Sequence, residues 1–207
     1  MLQPEEYEEF FTKLKNPINV QHIKKLLKGN QNWMKGNPSV HDQRKIRGDL
    51  AGSQDPKIII LTCADSRVSP EYIFDANIGD IFTIRVAGNV VSPVISASIE
   101  FSIAELNSTL ICVLGHENCG AVTTKIKDTQ SAFVSSNNLL AILKRIDVRT
   151  DDTLTENIIA NIKKQSQAIK TSSYIVSSMF ADKKIDIVGM HYSLETGEVN
   201  ILDFLPR

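Results

Sequence analysis

Residues 57–63 read Lys57-Ile58-Ile59-Ile60-Leu61-Thr62-Cys63. The aliphatic run from Ile58 to Leu61 leaves no polar face. A half-exposed strand alternates apolar and polar residues, whereas a strand covered on both sides reads as a continuous apolar stretch. The run is short and rich in β-branched side chains, which favours strand over helix. It is read as an inner strand of a parallel sheet, ending at Cys63.

The same pattern recurs downstream. Ile81-Phe82-Thr83-Ile84-Arg85-Val86 is a second strand. Leu110-Ile111-Cys112-Val113-Leu114 is a third, running into Gly115-His116. Ile185-Asp186-Ile187-Val188-Gly189-Met190 is a fourth, and Glu195-Thr196-Gly197 turns into a last strand over Val199–Phe204. Helical spacing covers Ile95–Leu106, Gly120–Lys127 and Asn138–Ile146. Thr153–Phe180 is predicted as one long helix, opened by the capping box Thr153-x-x-Glu156. Strands alternating with helices predict an α/β fold with a mainly parallel central sheet flanked by helices.

Upstream, Glu5 to about Lys35 reads as helix, broken in two at Asn16-Pro17. Its apolar residues, among them Phe10, Phe11, Ile23 and Leu26, are sparse, so this arm needs a surface on which to bury its stripe. A single domain over residues 1–207 is expected, with an N-terminal helical arm over 1–50 and the α/β core over 51–207. The Ser- and Asn-rich stretch from Ser131 to Asn138 is a loop.

Composition excludes several function classes. Of 207 residues, 42% are hydrophobic and 23% charged, and the net charge is -1. No basic excess suits a nucleic-acid surface. No apolar run approaches the roughly 18–20 residues of a membrane helix. The acidic start, Met1-Leu2-Gln3-Pro4-Glu5-Glu6, lacks the apolar segment of a signal peptide, so a cytoplasmic location is expected. The three cysteines, Cys63, Cys112 and Cys119, point to metal ligation or buried thiols rather than disulfides. Cys112 lies mid-strand and is read as an inert buried thiol.

Two segments carry chemistry: Cys63-Ala64-Asp65-Ser66-Arg67 and His116-Glu117-Asn118-Cys119-Gly120. Each follows a strand. Ligands of open α/β sheets bind at the carboxyl ends of strands, so Cys63, His116 and Cys119 can meet there. Two thiolates and an imidazole suit zinc, and three protein ligands leave a fourth, catalytic position open. Spacing alone is equally compatible with two core thiols and a solvated histidine. A phosphatase loop using Cys63 and Arg67 is excluded, because only Ala64, Asp65 and Ser66 intervene where a phosphate cradle needs five residues.

Cys63-x-Asp65-Ser66-Arg67 with His116-x-x-Cys119 resembles the paired signature of β-class carbonic anhydrases. The flanks Val68-Ser69-Pro70-Glu71, Arg85-Val86-Ala87-Gly88-Asn89, Leu27-x-Gly29-Asn30 and Gly189-x-x-Tyr192 are similar to that family too. The resemblance implies zinc-dependent, reversible hydration of carbon dioxide to bicarbonate and a proton, by attack of zinc-bound hydroxide. It implies one Zn2+ per chain on Cys63, His116 and Cys119, and a catalytic pair in Asp65 and Arg67. Gln54 and Gly120 would bind substrate, and Phe82 and Ala87 would line the carbon dioxide pocket. It further implies a homo-oligomer with a dimer as its smallest unit, the arm packing on the neighbouring subunit and the active site partly at the interface.

The chemistry fits these roles. Zinc lowers the pKa of bound water from about 15.7 toward roughly 7. Two thiolates donate more charge than neutral imidazoles, so this water is expected to be less acidic than at a three-histidine site. Arg67 can grip Asp65 bidentately and keep it off the metal. Two positions depart from the family. Ile60 stands where some members have a Trp of a regulatory bicarbonate pocket that also uses an Arg and a Tyr, here matched by Arg85 and Tyr192, so strong inhibition of that kind is not expected. Ile99-Glu100-Phe101 ends on Phe where some members have Tyr. No proton shuttle is evident: His22, His41 and His191 are read as solvated or structural. The competing readings are a related zinc hydrolase of carbon disulfide or carbonyl sulfide, and a zinc protein without turnover. The presence of Asp65, Arg67 and Gln54 argues against the latter.

Overall fold

The computed structural model describes residues 1–39, 42–131 and 136–206. A 3-10 turn, Pro4–Glu6, leads into α1 (Tyr7–Thr12) and α2 (Ile18–Met34), followed by α3 (Gln43–Asp49). Then come β1 (Ile58–Thr62), α4 (Pro70–Ile73), β2 (Ile81–Arg85), α5 (Pro93–Leu106), β3 (Leu110–His116), α6 (Gly120–Ser131) and α7 (Asn137–Leu143). The chain closes with α8 (Leu154–Thr171), α9 (Tyr174–Ala181), β4 (Asp186–Tyr192) and β5 (Val199–Ile201).

The sheet order is β2-β1-β3-β4-β5. β1 runs parallel to β2 and β3, and β3 parallel to β4; only β5 is antiparallel. Every residue of β1, β3 and β4 is buried. Ile59, Leu61, Ile111, Val113 and Ile187 pack on one side, with Ile99 of α5, Ile158 and Ile162 of α8 and Phe180 of α9. Ile58, Ile60, Leu110, Leu114, Val188 and Met190 pack on the other, with Phe10, Phe11, Ile23 and Leu26 of the arm. Two covered faces are the reason these strands read as continuous apolar runs.

The arm thus buries its stripe on its own core. At the Asn16-Pro17 break, Asp186 at the head of β4 accepts hydrogen bonds from the backbone N–H groups of Lys15 (2.7 Å) and Asn16 (3.0 Å) and from Asn19 Nδ2 (2.9 Å). The Leu27-x-Gly29-Asn30 motif is a contact point. A Cβ on Gly29 would lie 1.8 Å from the Phe74 carbonyl oxygen, so only glycine lets α2 approach this closely. Asn30 Nδ2 donates to the carbonyls of Ile73 (3.2 Å) and Gly197 (2.8 Å), while its Oδ1 accepts from Val199 N–H (2.9 Å).

The long helix expected over Thr153–Phe180 is two helices. The capping box at Thr153 and Glu156 opens α8 as predicted. The chain then breaks at Ser172 and Ser173, and Ser173 Oγ accepts from Val176 N–H (3.1 Å) to cap α9. A serine that satisfies an orphan N–H starts a new helix at little cost. The last strand stops at Ile201, short of Phe204. The short helices α3 and α4 carry too few apolar positions to show a period. Residues 132–135 of the expected Ser131–Asn138 loop lie outside the described residues; Ser131 closes α6, Ser136 caps α7 and Asn137 begins it. Among the described residues, no helix is long and apolar enough to cross a membrane.

Candidate metal centre

Cys63 follows the last residue of β1, and His116 is the last of β3. Their parallel register sets Thr62 beside Leu114, so both chain ends emerge on the same edge of the sheet. Asn118 adopts the left-handed conformation (φ 51°), which asparagine tolerates, and turns the chain sharply into α6. Cys119 then faces back toward His116. The ligand atoms of Cys63, His116 and Cys119 lie within 4.8 Å of one another, and all three residues are buried.

The histidine ring is oriented. The Glu117 carbonyl sits 2.7 Å from His116 Nδ1. A carbonyl only accepts, so Nδ1 carries the hydrogen and Nε2 presents its lone pair. Nε2 is a buried nitrogen with no hydrogen-bond partner. Such an orphan atom demands an explanation; with two thiols close by, the three residues form a donor set that could hold a metal ion.

The thiols differ. The hydrogen bond from Cys119 lowers the Cys63 thiol to about 4, against the burial that would raise it; the His116 ring and the N–H groups of Gly88 and Asp65 lower it further. Cys119 is pushed up by the same hydrogen bond and by burial. Metal ligation requires both sulfurs as thiolates, so a bound cation would displace the thiol protons. Gly88 N–H donates to Cys63 Sγ (3.3 Å) from a turn in which its φ is 72°, a conformation that glycine adopts freely.

Asp65 and Arg67 flank the group. Arg67 Nε donates to Asp65 Oδ1 (2.9 Å) and Nη2 to Oδ2 (2.8 Å). That pairing holds the Asp65 carboxyl well below the usual carboxylate range. Asp65 Oδ2 lies 3.9 Å from His116 Nε2, at the edge of the metal-binding group. Arg85 braces the loop beneath, donating to the carbonyls of Cys63 (3.3 Å) and Asp65 (2.7 Å).

Residues 58–199 match the family model described as carbonic anhydrase. Carbonic anhydrase 2 of Mycobacterium tuberculosis is 31% identical over 191 residues, covering 88% of this chain and 92% of that protein. The chain belongs to the β-carbonic anhydrase family. Among solved structures, the Coccomyxa β-carbonic anhydrase in complex with acetazolamide superposes with a TM-score of 0.64 at 27% identity, over 86% of this chain and 84% of that one. One of two tetrameric β-carbonic anhydrases from Sordaria macrospora superposes with a TM-score of 0.67, over 90% of this chain and 98% of its own, and at 23% identity it speaks for the fold. The relatives' carbonic anhydrase activity, hydration of carbon dioxide, agrees with a buried Cys-His-Cys group that could hold a metal ion.

The β-carbonic anhydrase fold gathers some of the expected site residues and not others. Cys63, Asp65, Arg67, His116 and Cys119 converge. Ala87 sits in the turn that sends Gly88 onto Cys63. Gly120 opens α6 directly after Cys119, and a Cβ there would meet nothing within 4 Å. Gln54 is exposed before β1, at the opposite end of that strand from Cys63. Phe82, on the edge strand β2, pairs with Ile59 and contacts Phe101, whose ring centroid is 6.3 Å away on α5. His22 is half-buried on α2, His191 is buried in β4, and His41 lies outside the described residues. Sequence reading missed the roles of Gly88, Arg85 and the Glu117 carbonyl. The stretch Arg85-Val86-Ala87-Gly88-Asn89 was the available signal for the first two.

Proposed function

We propose that the chain catalyses reversible hydration of carbon dioxide to bicarbonate and a proton with one zinc ion per chain, held by Cys63, His116 and Cys119. The observation that carries this reading is the partnerless, buried Nε2 of His116 facing two thiols. Zinc–sulfur bonds of about 2.3 Å and a zinc–nitrogen bond of about 2.0 Å put donor atoms roughly 3.5–4 Å apart, which a 4.8 Å span accommodates. Bound zinc supplies a hydroxide-like nucleophile at neutral pH. Asp65, its Oδ2 3.9 Å from His116 Nε2, would accept the nucleophile's hydrogen and so aim it. Arg67, bonded to both carboxylate oxygens, would keep Asp65 from ligating the metal itself. Gly120 leaves open space beside Cys119, where its N–H can meet a substrate oxygen.

Gln54 and Phe82 point to a neighbouring subunit. The five residues of β1 span about 16 Å, so a Gln54 ahead of that strand cannot reach its own chain's metal group. It would instead serve the site of a second copy, as would Phe82 in the carbon dioxide pocket. β2 is an edge strand of the sheet, and Phe101 and Val94 of α5 are exposed beside it, a surface suited to a dimer. Any arm contact with the neighbour would use exposed Ile18, Trp33 and Met34, since its buried stripe is already covered. Three free thiols fit a reducing, cytoplasmic compartment.

Stopped-flow carbon dioxide hydration, paired with zinc stoichiometry, tests the reading. One zinc per chain, with hydration lost in Asp65→Asn and Cys119→Ser, is expected. A folded chain that carries no zinc, or that turns over carbonyl sulfide but not carbon dioxide, overturns it.

A further inference from the structure

Glu117 lies between two of the proposed ligands, yet its side chain points away from them. Its Oε2 accepts from Ser193 Oγ (3.0 Å), Leu194 N–H (2.8 Å) and Glu195 N–H (3.4 Å). These donors all belong to the turn between β4 and β5. The Glu117 backbone is held from the same side, its N–H donating to the Tyr192 carbonyl (2.9 Å). The peptide that carries this side chain also carries the carbonyl that orients His116. One residue therefore joins the turn after β4 to the imidazole of the metal group.

We propose that Glu117 is a positioning residue: its carboxylate latches the 193–195 turn and thereby fixes the carbonyl that sets the tautomer and tilt of His116. The inference rests on the zinc reading above. The physical reason is that a ring held only by its own Cα–Cβ bond rotates, whereas a ring donating to a fixed carbonyl presents Nε2 in one direction. Loss of such supporting contacts typically costs about 10–100-fold in metal affinity. The backbone N–H groups of Leu194 and Glu195 supply two of the three donors, and Ser193 Oγ supplies the third.

Metal release to a chromophoric chelator tests this, with activity as a second readout. Wild-type retention of one zinc tests the underlying reading by itself; the variants are judged against it. Glu117→Ala should release zinc about tenfold faster or more. It should also lower kcat more than it raises KM, since ring orientation matters after substrate is bound. Glu117→Gln should restore both to within a few-fold of wild type, because its amide oxygen can accept the same three bonds. Thr196→Ala is the control. It removes the bond from Glu198 N–H to Thr196 Oγ1 within the same turn (3.2 Å) and leaves Glu117 untouched. The cobalt-loaded visible spectrum should shift in Glu117→Ala and not in Thr196→Ala. If Glu117→Ala does not fold, Ser193→Ala, which removes one donor, should speed release several-fold. Release within twofold of wild type in Glu117→Ala, or in Ser193→Ala where that variant stands in, overturns the proposal. So does Thr196→Ala matching Glu117→Ala at equal thermal stability.

Discussion

Arg67 holds the Asp65 carboxylate by two parallel hydrogen bonds of 2.9 and 2.8 Å, and this pair parks Asp65 3.9 Å from His116 Nε2. The Asp65 carboxylate is thus held beside the Cys63, His116 and Cys119 group. A single-point cation would not set that angle, because the fork geometry is what makes the grip bidentate.

Arg67→Lys should therefore fail despite keeping its charge. Misplacement of a catalytic group by about 1 Å costs on the order of a hundredfold in rate. A drop of that size in kcat/KM is expected, with zinc content unchanged at one per chain. Wild-type kinetics in Arg67→Lys would show that charge alone suffices.

Gly120→Ala separates site from scaffold. The added methyl meets no protein atom within 4 Å and sits at the start of α6, where alanine is favoured over glycine. Thermal stability should hold or rise by up to about 1 kcal/mol. Carbon dioxide hydration should fall several-fold, because the methyl occupies the space beside Cys119. Unchanged activity would remove Gly120 from the substrate site.

Asp186 ties the arm to the sheet. It is buried, and Asp186→Ala strands the N–H groups of Lys15 and Asn16 together with the Asn19 amide. A loss of about 2–3 kcal/mol in urea unfolding is expected. Protease cleavage between α1 and α2 should appear in the variant before global unfolding. If the arm stays protected, the apolar contacts of Phe10 and Phe11 hold it without the carboxylate.

His191 sets a pH dependence. Burial holds its pKa below the ordinary 6.5; Glu117 works against that shift and His116 with it. Below pH 6.5 the unfolded chain takes up a proton that the folded chain resists. Stability is then complete above about pH 6.5 and declines as pH falls below it. Urea unfolding at pH 7.5 and 5.5 should show a smaller acid loss in His191→Gln than in wild type. Metal release on acidification is common to both proteins and cancels in the comparison. Equal losses would show that His191 keeps its usual pKa when folded.

The parallel strands were legible because burial on both faces writes itself as unbroken apolarity at Ile58–Leu61 and Leu110–Leu114. The Asn16-Pro17 break was legible because proline excludes the preceding residue from helix. The break at Ser172-Ser173 was not. Serine is compatible with a helix interior, and only the packing of α9 against α5 and α8 decides that Ser173 caps instead. Cys63-x-Asp65-Ser66-Arg67 and His116-x-x-Cys119 were readable as ligand chemistry. The role of Glu117 was not, since its partners lie far along the chain at Ser193–Glu195.

By itself the sequence determined the α/β class and singled out the two thiols and the imidazole that could hold a metal ion. Both are local properties: hydropathy along a strand, and the donor atoms a residue carries. Tertiary structure alone decided that β1 and β3 run side by side in register, which brings Cys63 to His116. It also decided which imidazole nitrogen is free, and that Gln54 and Phe82 lie away from their own chain's metal group. These are distances between remote segments, set by strand pairing and packing, and no short stretch of sequence encodes them.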